Sequence, residues 1–500
     1  MTIHAAPTGP ALRIDPRDDV AVAICPIAAG EQVTLGDVQV TATAEIPRGH
    51  KLALRRIPVG VPVHKYGWPI GLSTREIAPG DHVHAHNVRT RLSGTLAYRY
   101  QPDIPTAATA APVRPGFLGY RRADGRVGTR NEIWILCTVG CVGRTAERIA
   151  TLAAERFAGR VDGIHAFPHP YGCSQLGDDL SHTRDLIAAL ARHPNAGGVL
   201  ILGLGCESNQ LDRLLDQIGR DSRIRAFTAQ TAADEVEDGL AAVEALVAQA
   251  EQDRRSPCAF SDLVIGLKCG GSDGFSGLTA NPLVGRIADR LALAGGTPVL
   301  AEIPEIFGAE ELLMRRAADQ AVFNSIVGLV NGFKQYFLEH NQPVYENPSP
   351  GNIAGGITTL EEKSLGAVQK GGRTAVTQVL RYGEQIHRPG LALLESPGND
   401  AVSSTALTAA GATLLLFTTG RGTPLGFPVP TLKLASNPDL AARKPHWIDF
   451  DAGMLLQGQT MEQAADALQT LILTTASGQP TRNELAGQRD IAIWKNGVTL

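Results

Sequence analysis

The sequence predicts an α/β protein in two parts: a small all-β unit at the N-terminus, and a larger region built on a mainly parallel sheet with helices on both faces. Three observations carry this. Residues 13–97 hold only short β-rich runs cut by glycine and proline turns, with no sustained helical period. From 117 onward, apolar runs of strand length alternate with helix-length amphipathic segments, the pattern of a sheet buried on both faces. Between them, 98–116 is rich in proline and alanine and has little to bury, which reads as a linker.

In chain order, the β unit contains VAVAICPI, QVTL, VQVTAT and VPVHKYG, separated by AGE, PRGH and PVG turns, and closes with GDHVHAHN. The linker carries Pro102, Pro105, Pro112 and Pro115. In a first α/β part, 117–258, NEIWILCTVGC precedes a helix-like VGRTAERIATLAAERF. VDGIHAFPHPYGC precedes LGDDLSHTRDLIAALARH, and AGGVLILGLGC precedes ESNQLDRLLDQIG. In a second, 259–500, DLVIGLKCGG leads into NPLVGRIADRLALAG and TPVLAEIPE follows. AEELLMRRAADQ and SIVGLVNGFKQYFLEH read as packing helices, LALLESPG and ATLLLFTTG bracket VSSTALTAAG, and the tail reads as a helix followed by a short strand, IAIWKNGVTL.

Composition narrows the function. The chain has 500 residues, 46 basic against 50 acidic with a net charge of −4, and no long run of either sign. This argues against nucleic acid or an anionic membrane as the main partner. The first residues lack a basic-then-apolar leader, and no apolar run is long enough to span a bilayer. Seven cysteines without an export signal read as reduced thiols in the cytoplasm. No Walker loop, no GxGxxG opening a helix after the first strand, no HExxH and no GxSxG is present, which weakens nucleotide-driven chemistry and serine hydrolysis.

Four groups of residues could carry chemistry. Cys141, Cys173, Cys206 and Cys269 each follow an apolar run and each sit beside glycine. In a parallel sheet the carboxyl ends of all strands share one edge, so the four can meet there as ligands of iron or zinc; the competing reading is four small buried hydrophobes. His82, His84 and His86 alternate and share a strand face, with His50 and Lys51 as companions, an arrangement suited to a metal or an acidic substrate. Arg130 with Asn131, and Arg421 with its neighbouring threonines, read as anion clamps. The loop from Lys268 to Pro282 adds Ser272, Asp273, Ser276 and Thr279, and ENPSPGNIAGGITTLEEKS adds Asn347, Ser349, Asn352 and Lys363.

The residues also resemble a family. PRGHKLAL, HKYGWPIG and GDHVHAHN are similar to a SAF domain, a β-clip-like unit. GRVGTRNEIWIL, HPYGCSQLGDD, GLGCE, KCGGSDGFSGLTANP, PEIFGAEELLMRRA, NPSPGNIAGGITTLEEKSLGAVQKGG, SPGND and TTGRGTPLG resemble the altronate and galactarate dehydratases of sugar-acid catabolism. The likeness runs from about Ile14 to Leu500. Cys137 replaces the proline expected in LPTVGC, and KCGG stands for ECGG or QCGG. AYRYQPD, PVYENPSPGN and HWIDFDAG bring the chain nearest the altronate branch. A related sulfolactate sulfo-lyase keeps its SAF part on a separate chain.

The resemblance implies a Rossmann-like larger region with an intervening dimerisation part, a cytoplasmic homodimer, and dehydration of D-altronate to 2-dehydro-3-deoxy-D-gluconate with ferrous iron or manganese. We expect the metal, as a single ion or as an iron–sulfur centre with one open iron, on some of Cys141, Cys173, Cys206 and Cys269. Arg130, Asn131, Arg421 and the Ser272–Thr279 loop, including Asp273 and Ser276, are expected to hold the substrate. His50, Lys51, His84 and His86 are the expected bases, on a small unit that folds over the sheet edge as a lid. Galactarate is the alternative substrate. A dehydrogenase, or a sugar-acid binding protein without turnover, is the alternative class.

Overall fold

The computed structural model describes residues 9–105 and 116–500. The leaderless reading of the first eight residues, and Pro112 and Pro115 of the linker, lie outside the described residues. No helix among the described residues is long and apolar enough to cross a membrane.

The N-terminal unit is all β. β1 (Ala11–Leu12), β2 (Val20–Ala23), β5 (Lys51–Ala53) and β8 (His82–Val83) form an antiparallel sheet in the order β1-β2-β5-β8. β3 (Gln32–Leu35) pairs with β4 (Val38–Thr41), and β6 (Pro62–Lys65), β7 (Trp68–Ser73) and β9 (Val88–Arg89) make a third small sheet. Valines, isoleucines and alanines on the inward faces, among them Val22, Ile27, Val33, Leu52 and Val63, fill its interior. β10 (Gly116–Arg121) and β11 (Val127–Gly128) follow, and β10 pairs antiparallel with β16 (Ser256–Ala259).

Two parallel sheets follow. In the first, β12 (Glu132–Cys137), β13 (Gly163–Phe167), β14 (Ala196–Gly203) and β15 (Ile224–Thr228) stand in the order β13-β12-β14-β15. The connecting helices α1 (Gly143–Arg156), α2 (Gly177–Ala191), α3 (Leu211–Ile218) and α4 (Glu235–Ala250) turn apolar stripes inward; Ala146, Ile149 and Ala153 do this for α1. β12 and β14 are buried along their whole length, as continuous apolar runs should be.

The second sheet has seven strands: β17 (Val264–Cys269), β18 (Thr297–Leu300), β19 (Val376–Leu380), β20 (Leu391–Leu394), β21 (Leu414–Thr419), β22 (Thr431–Ala435) and β23 (Phe450–Asp451). Their order is β19-β20-β18-β17-β21-β22-β23, all parallel. From β17 the chain moves outward to β18 on one side and later returns to β21 on the other, so the strand order reverses between β17 and β21. Crevices at such reversals, outside the carboxyl ends, are where open α/β sheets bind ligands. The ends flanking this one are Cys269-Gly270-Gly271 and Thr419-Gly420-Arg421.

Around this sheet lie α5 (Ala280–Ala294), the short α6 (Glu310–Met314), α7 (Gln320–Glu339), α8 (Pro350–Ala354), α9 (Leu360–Ala367), α10 (Asp400–Ala409), α11 (Pro438–Arg443), α12 (Met461–Ala476) and α13 (Arg482–Leu485). The helix read in AEELLMRRAADQ is therefore only five residues long. The tail strand expected in IAIWKNGVTL does not form; the tail makes one isolated bridge, Thr499 to Gln175. Trp494 instead spends its ring on packing, stacked on Phe333 and His182.

The β unit is fastened to the second sheet region by a buried charge cluster. Lys51 and Lys65 both reach the Glu362 carboxylate on α9, at 2.9 and 2.7 Å. Burial would raise the Glu362 pKa, but the two ammonium groups outweigh it and hold it at about 2. Close backbone packing completes the join. A Cβ on Gly274 would lie 2.1 Å from the Gly49 carbonyl oxygen, and one on Gly356 2.3 Å from it, so only glycine permits this approach.

Candidate active site

The carboxyl end of β17 delivers two consecutive buried side chains, Lys268 and Cys269, to the crevice. The end of β18 delivers Glu302, and the turn after it Glu305. α9 delivers Lys363 and the turn that follows it Lys370. Together they form a dense polar array; Glu305 and Lys363 line the floor of a cavity of about 630 Å³, and Lys268, Cys269, Glu302 and Lys370 lie buried beneath that floor. Asn347, Ser349, Asn352, Asn399 and Asp400 line its walls, and Phe333, Tyr336 and Phe337 line its apolar side.

The bonds within the array are short and numerous. Glu302 accepts from the Cys269 backbone N–H at 2.9 Å, from Lys370 at 2.9 Å, and from Lys268. Lys268 also donates to Asp400 Oδ1 at 2.8 Å. Lys370 Nζ is 2.7 Å from Cys269 Sγ, and that sulfur is 3.5 Å from Glu305 Oε2. Lys363 donates to Glu305 Oε1 at 2.8 Å, to Asn347 at 3.0 Å and to Asn352 at 3.2 Å. Glu302 has φ 65°, a left-handed conformation that costs a non-glycine residue about 1–3 kcal/mol. Its backbone N–H donates to Ser396 Oγ at 3.1 Å, and its bonded carboxylate holds it from the other end.

The electrostatics follow from burial and compensation. Burial pushes the Cys269 thiol up to about 12, with Glu302 adding to the rise and Lys370 opposing it, so it stands as a neutral thiol. Burial alone would discharge Lys370, but the Cys269 sulfur and Glu302 beside it reverse the direction and keep it an ammonium. Lys363 is raised against burial by Glu305. Three cations thus face three carboxylates, Glu302, Glu305 and Asp400. Among the described residues, Cys269, Glu302 and Glu305 alone bring three potential metal donors within 4.8 Å of one another. A sulfur with two carboxylate oxygens is a donor set of the right kind for a divalent transition ion. It receives one only if the Cys269 proton and the Lys370 hydrogen bond are given up, because each donor already meets an ammonium group.

The structure divides the sequence-predicted site residues. Cys269 belongs to this floor. Cys141, Cys173 and Cys206 are exposed and stand at the carboxyl edge of the other sheet, so the four cysteines do not form one centre. Arg130 and Asn131 lie at the opposite, amino end of β12 and are not anion clamps. Arg130 makes a two-pronged ion pair with Glu484, at 2.8 and 2.9 Å, and donates to the carbonyls of Thr129, Thr475 and Gln479. Asn131 donates to Ala250 O and accepts from Arg122. Arg130 spends its donors packing the two α/β parts together, and Asn131 spends its own within the first.

The glycine-rich loop is likewise mostly self-bonded. Asp273 Oδ1 accepts from the backbone N–H of Ser276, from its hydroxyl and from Ser436, while Oδ2 accepts from Asn437. Thr279 donates to Ser436 O, and the Ser272 carbonyl accepts from Asn352. These four shape the crevice rather than present free donors to it. Arg421 is exposed; its side chain packs over Gly351 and bonds that carbonyl at 3.3 Å. With Arg48, Asp273 and Arg443 it lines a second cavity of about 420 Å³.

The histidines do meet. His50, His82, His84 and His86 have ring centroids 4.7–5.5 Å apart, and His50 Nδ1 is 3.0 Å from His82 Nε2. They pack on the segment that follows the cavity wall: His50 Nε2 faces Ala354 O at 3.4 Å, and His84 Nδ1 faces Thr358 Oγ1 at 3.1 Å. Burial and neighbouring cations lower His82 to about 4 and His84 to about 3, so both rings are neutral at pH 7. Lys51 is lowered to about 8 by burial but remains bonded to Glu362 and Gly356 O. It is a fastener between the two parts. Glu302, Glu305, Lys370 and Asp400 carry no unusual sequence context. The signal of Glu302, Glu305 and Asp400 is only their place just after apolar runs, in AEIPE and SPGND; Lys370 lies in QKGG, in the turn after α9.

Three family models match the chain in succession: the altronate/galactarate dehydratase SAF domain over 10–91, the D-galactarate dehydratase/altronate hydrolase second domain over 119–251, and the D-galactarate/altronate dehydratase C-terminal region over 260–499. An altronate dehydratase of Escherichia coli K12 is 50% identical over 98% of this chain and 99% of its own length. One from Bacillus subtilis 168 is 47% identical over 98% and 99%. The galactarate dehydratase (L-threo-forming) of E. coli K12 is 33% identical over 87% and 86%. With a sheet-reversal crevice floored by a lysine–carboxylate–thiol array, a SAF unit clamped over its rim, and this likeness along the whole length, the chain belongs to the altronate/galactarate dehydratase family.

Proposed function

We propose that this enzyme removes water from D-altronate to give 2-dehydro-3-deoxy-D-gluconate, a hydro-lyase step in hexuronate catabolism. The observation that carries the reading is the cavity above Cys269, where Lys363, Asn347, Asn352 and Asp400 converge as donors and acceptors for a polyhydroxy acid. The closer likeness to altronate dehydratases than to the galactarate enzyme supports altronate as substrate.

Elimination across carbons 2 and 3 needs a base for a weakly acidic C–H, a cationic cradle for the aci-carboxylate that forms, and help for departing hydroxide. Lys363, already fixed by Glu305 and two asparagine amides, supplies the cradle. Asp400 supplies the base: Lys268 holds its Oδ1, and among the described residues Oδ2 accepts no hydrogen bond. The C2 proton passes to Asp400 and returns from it to the hydroxyl leaving C3, which departs as water. The enol then becomes the 2-keto acid in solvent. The Fe²⁺ or Mn²⁺ that the family resemblance implies would be held by Cys269, Glu302 and Glu305, where it would polarise the carboxylate and the leaving hydroxyl. The neutral imidazoles of His50 and His84 close the rim beside the Ala354–Thr358 segment and restrict water, while His86, more exposed, packs on His82. All seven cysteines are free thiols, which supports the cytoplasmic reading; the homodimer remains part of this proposal.

The test is turnover of D-altronate and galactarate by anaerobic, Fe²⁺-supplied enzyme, followed as 2-keto acid. The reading expects altronate to have the larger kcat/KM, with no nicotinamide needed. A larger kcat/KM for galactarate, or altronate binding without product, overturns it.

A further inference from the structure

We propose that Cys141, Cys173 and Cys206 are the three thiolate ligands of an iron–sulfur cluster of the four-iron type, separate from the sugar-acid cavity and independent of its assignment. The first sheet has its own strand-order reversal, between β12 and β14, with β13 beside β12. Cys141 follows β12, Cys173 follows β13 and Cys206 follows β14. All three therefore ride on the loops that rim the crevice where such sheets take ligands.

The loops are tied to one another by hydrogen bonds, which brings the three cysteine turns side by side. The Gly140 N–H donates to Tyr171 O at 2.8 Å, joining the Cys141 and Cys173 turns. The Asn209 N–H donates to Gly172 O at 2.9 Å, and its side chain to Thr138 O at 3.1 Å, joining the Cys206 turn to both. Gly172 has φ 101°, and a Cβ there would lie 2.0 Å from Thr138 O, so the Cys173 turn seats against β12 only through glycine. The buried Glu207 bonds the N–H groups of Leu204 and Gly205, at 3.0 and 2.6 Å, and the Thr138 hydroxyl at 2.5 Å. The frame is rigid and buried, while the three sulfurs face outward as free, exposed thiols.

The donors point to the ligand. Three thiolates on one tetrahedral ion, with metal–sulfur bonds of about 2.3 Å, stand about 3.8 Å apart, and the three cysteines do not come within 4.8 Å of one another as a set. A four-iron cluster attaches each cysteine to a different corner and so accepts a wider spread, and three cysteines leave one iron open. Cys25, exposed on the β unit, and Cys269, on the other sheet, are no part of it.

The experiment is anaerobic reconstitution of the full chain with ferrous iron and sulfide. Iron and acid-labile sulfide are counted, the visible absorption and reduced-state paramagnetic resonance spectra recorded, and alkylation of each cysteine read by mass spectrometry. About four irons and four sulfides per chain are expected, with Cys141, Cys173 and Cys206 protected from alkylation and Cys25 still reactive. C141S/C173S/C206S should lose the sulfide and the absorption, whereas C269A and C25S keep both. Because the three side chains are exposed, the triple variant should melt within a few degrees of the unreconstituted wild type. Sulfide bound equally by the triple variant, a single iron without sulfide, or no protection of the three thiols each overturns the proposal.

Discussion

Lys370 Nζ stands 2.7 Å from Cys269 Sγ and 2.9 Å from Glu302 Oε2, so a single ammonium group occupies the place between a thiol and a carboxylate that a divalent ion would take. The same two donors serve one cation or the other. On the proposed metal site, the charge of Lys370 would stand in for the ion in the metal-free protein.

Lys370→Met is therefore expected to destabilise the metal-free protein by about 3–5 kcal/mol, because Glu302 and the buried array lose a compensating charge. Saturating Mn²⁺ should narrow that deficit by binding the folded form. Thermal unfolding with and without Mn²⁺ checks this. An equal deficit in both conditions would remove Cys269 and Glu302 as metal donors.

A second expectation concerns pH. His82 and His84 are held well below 6.5 by burial and by the cations around them, at about 4 and about 3. A histidine whose folded pKa is depressed binds more protons when unfolded, so its stabilising effect is present above about pH 6.5 and is lost as pH falls toward 4. The melting temperature should drop by several degrees between pH 7 and pH 4.5, and His84→Asn should flatten that slope. The small unit should become protease-sensitive over the same interval, since His84 faces Thr358 and His82 is bonded to His50, which faces Ala354. An unchanged slope in the variant would show that the rings are not buried against this segment.

Arg130→Met separates packing from chemistry. Glu484 would be left with Arg489 as its remaining cationic partner, at 3.2 Å, and the Thr129, Thr475 and Gln479 carbonyls would each lose one donor. Stability should fall by about 2–3 kcal/mol, because Glu484 loses its two-pronged partner but keeps Arg489, read as a lower denaturation midpoint, while KM for altronate in the folded enzyme stays within about twofold of wild type. A tenfold rise in KM without a stability loss would restore Arg130 as a substrate clamp.

What was legible in the sequence follows from what each residue needs. Alternating apolar runs and helices identify the parallel sheets because burial on both faces leaves few other patterns. Glycine beside Cys269 marks a backbone approach that requires it, and three histidines at alternate positions do share a neighbourhood. Lys363, Asn347 and Asn352 stood out as a loop rich in donors. Arg130 misled because an arginine flanked by glycine looks the same whether its partner is a substrate or Glu484; only the end of the strand it occupies distinguishes them. Glu302, Glu305 and Lys370 were invisible because a charged residue after a strand or a helix is ordinary until its partners, 34 to 101 residues away for those of Lys268 and Cys269, are brought beside it. The four cysteines looked alike because the two sheets repeat the same strand-then-turn form.

Asp400→Asn is the sharpest test of the proposed chemistry. The side chain keeps its volume, and its amide oxygen can still accept from Lys268, so the N-terminus of α10 and the cavity wall should hold their shape. What is lost is the basic Oδ2 that takes the C2 proton. Positioned acid–base groups contribute about 10²–10⁴-fold, so kcat should fall by that factor while KM for altronate changes little. Exchange of the C2 hydrogen with deuterium from solvent should vanish with it, because exchange requires the same proton transfer without loss of water. Lys363→Met should behave differently, raising KM as well as lowering kcat, since its ammonium holds the carboxylate both before and during the reaction. If Asp400→Asn keeps full kcat, or loses it with exchange intact, the base lies elsewhere, and the neutral ring of His50 or His84 at the rim becomes the group to replace next.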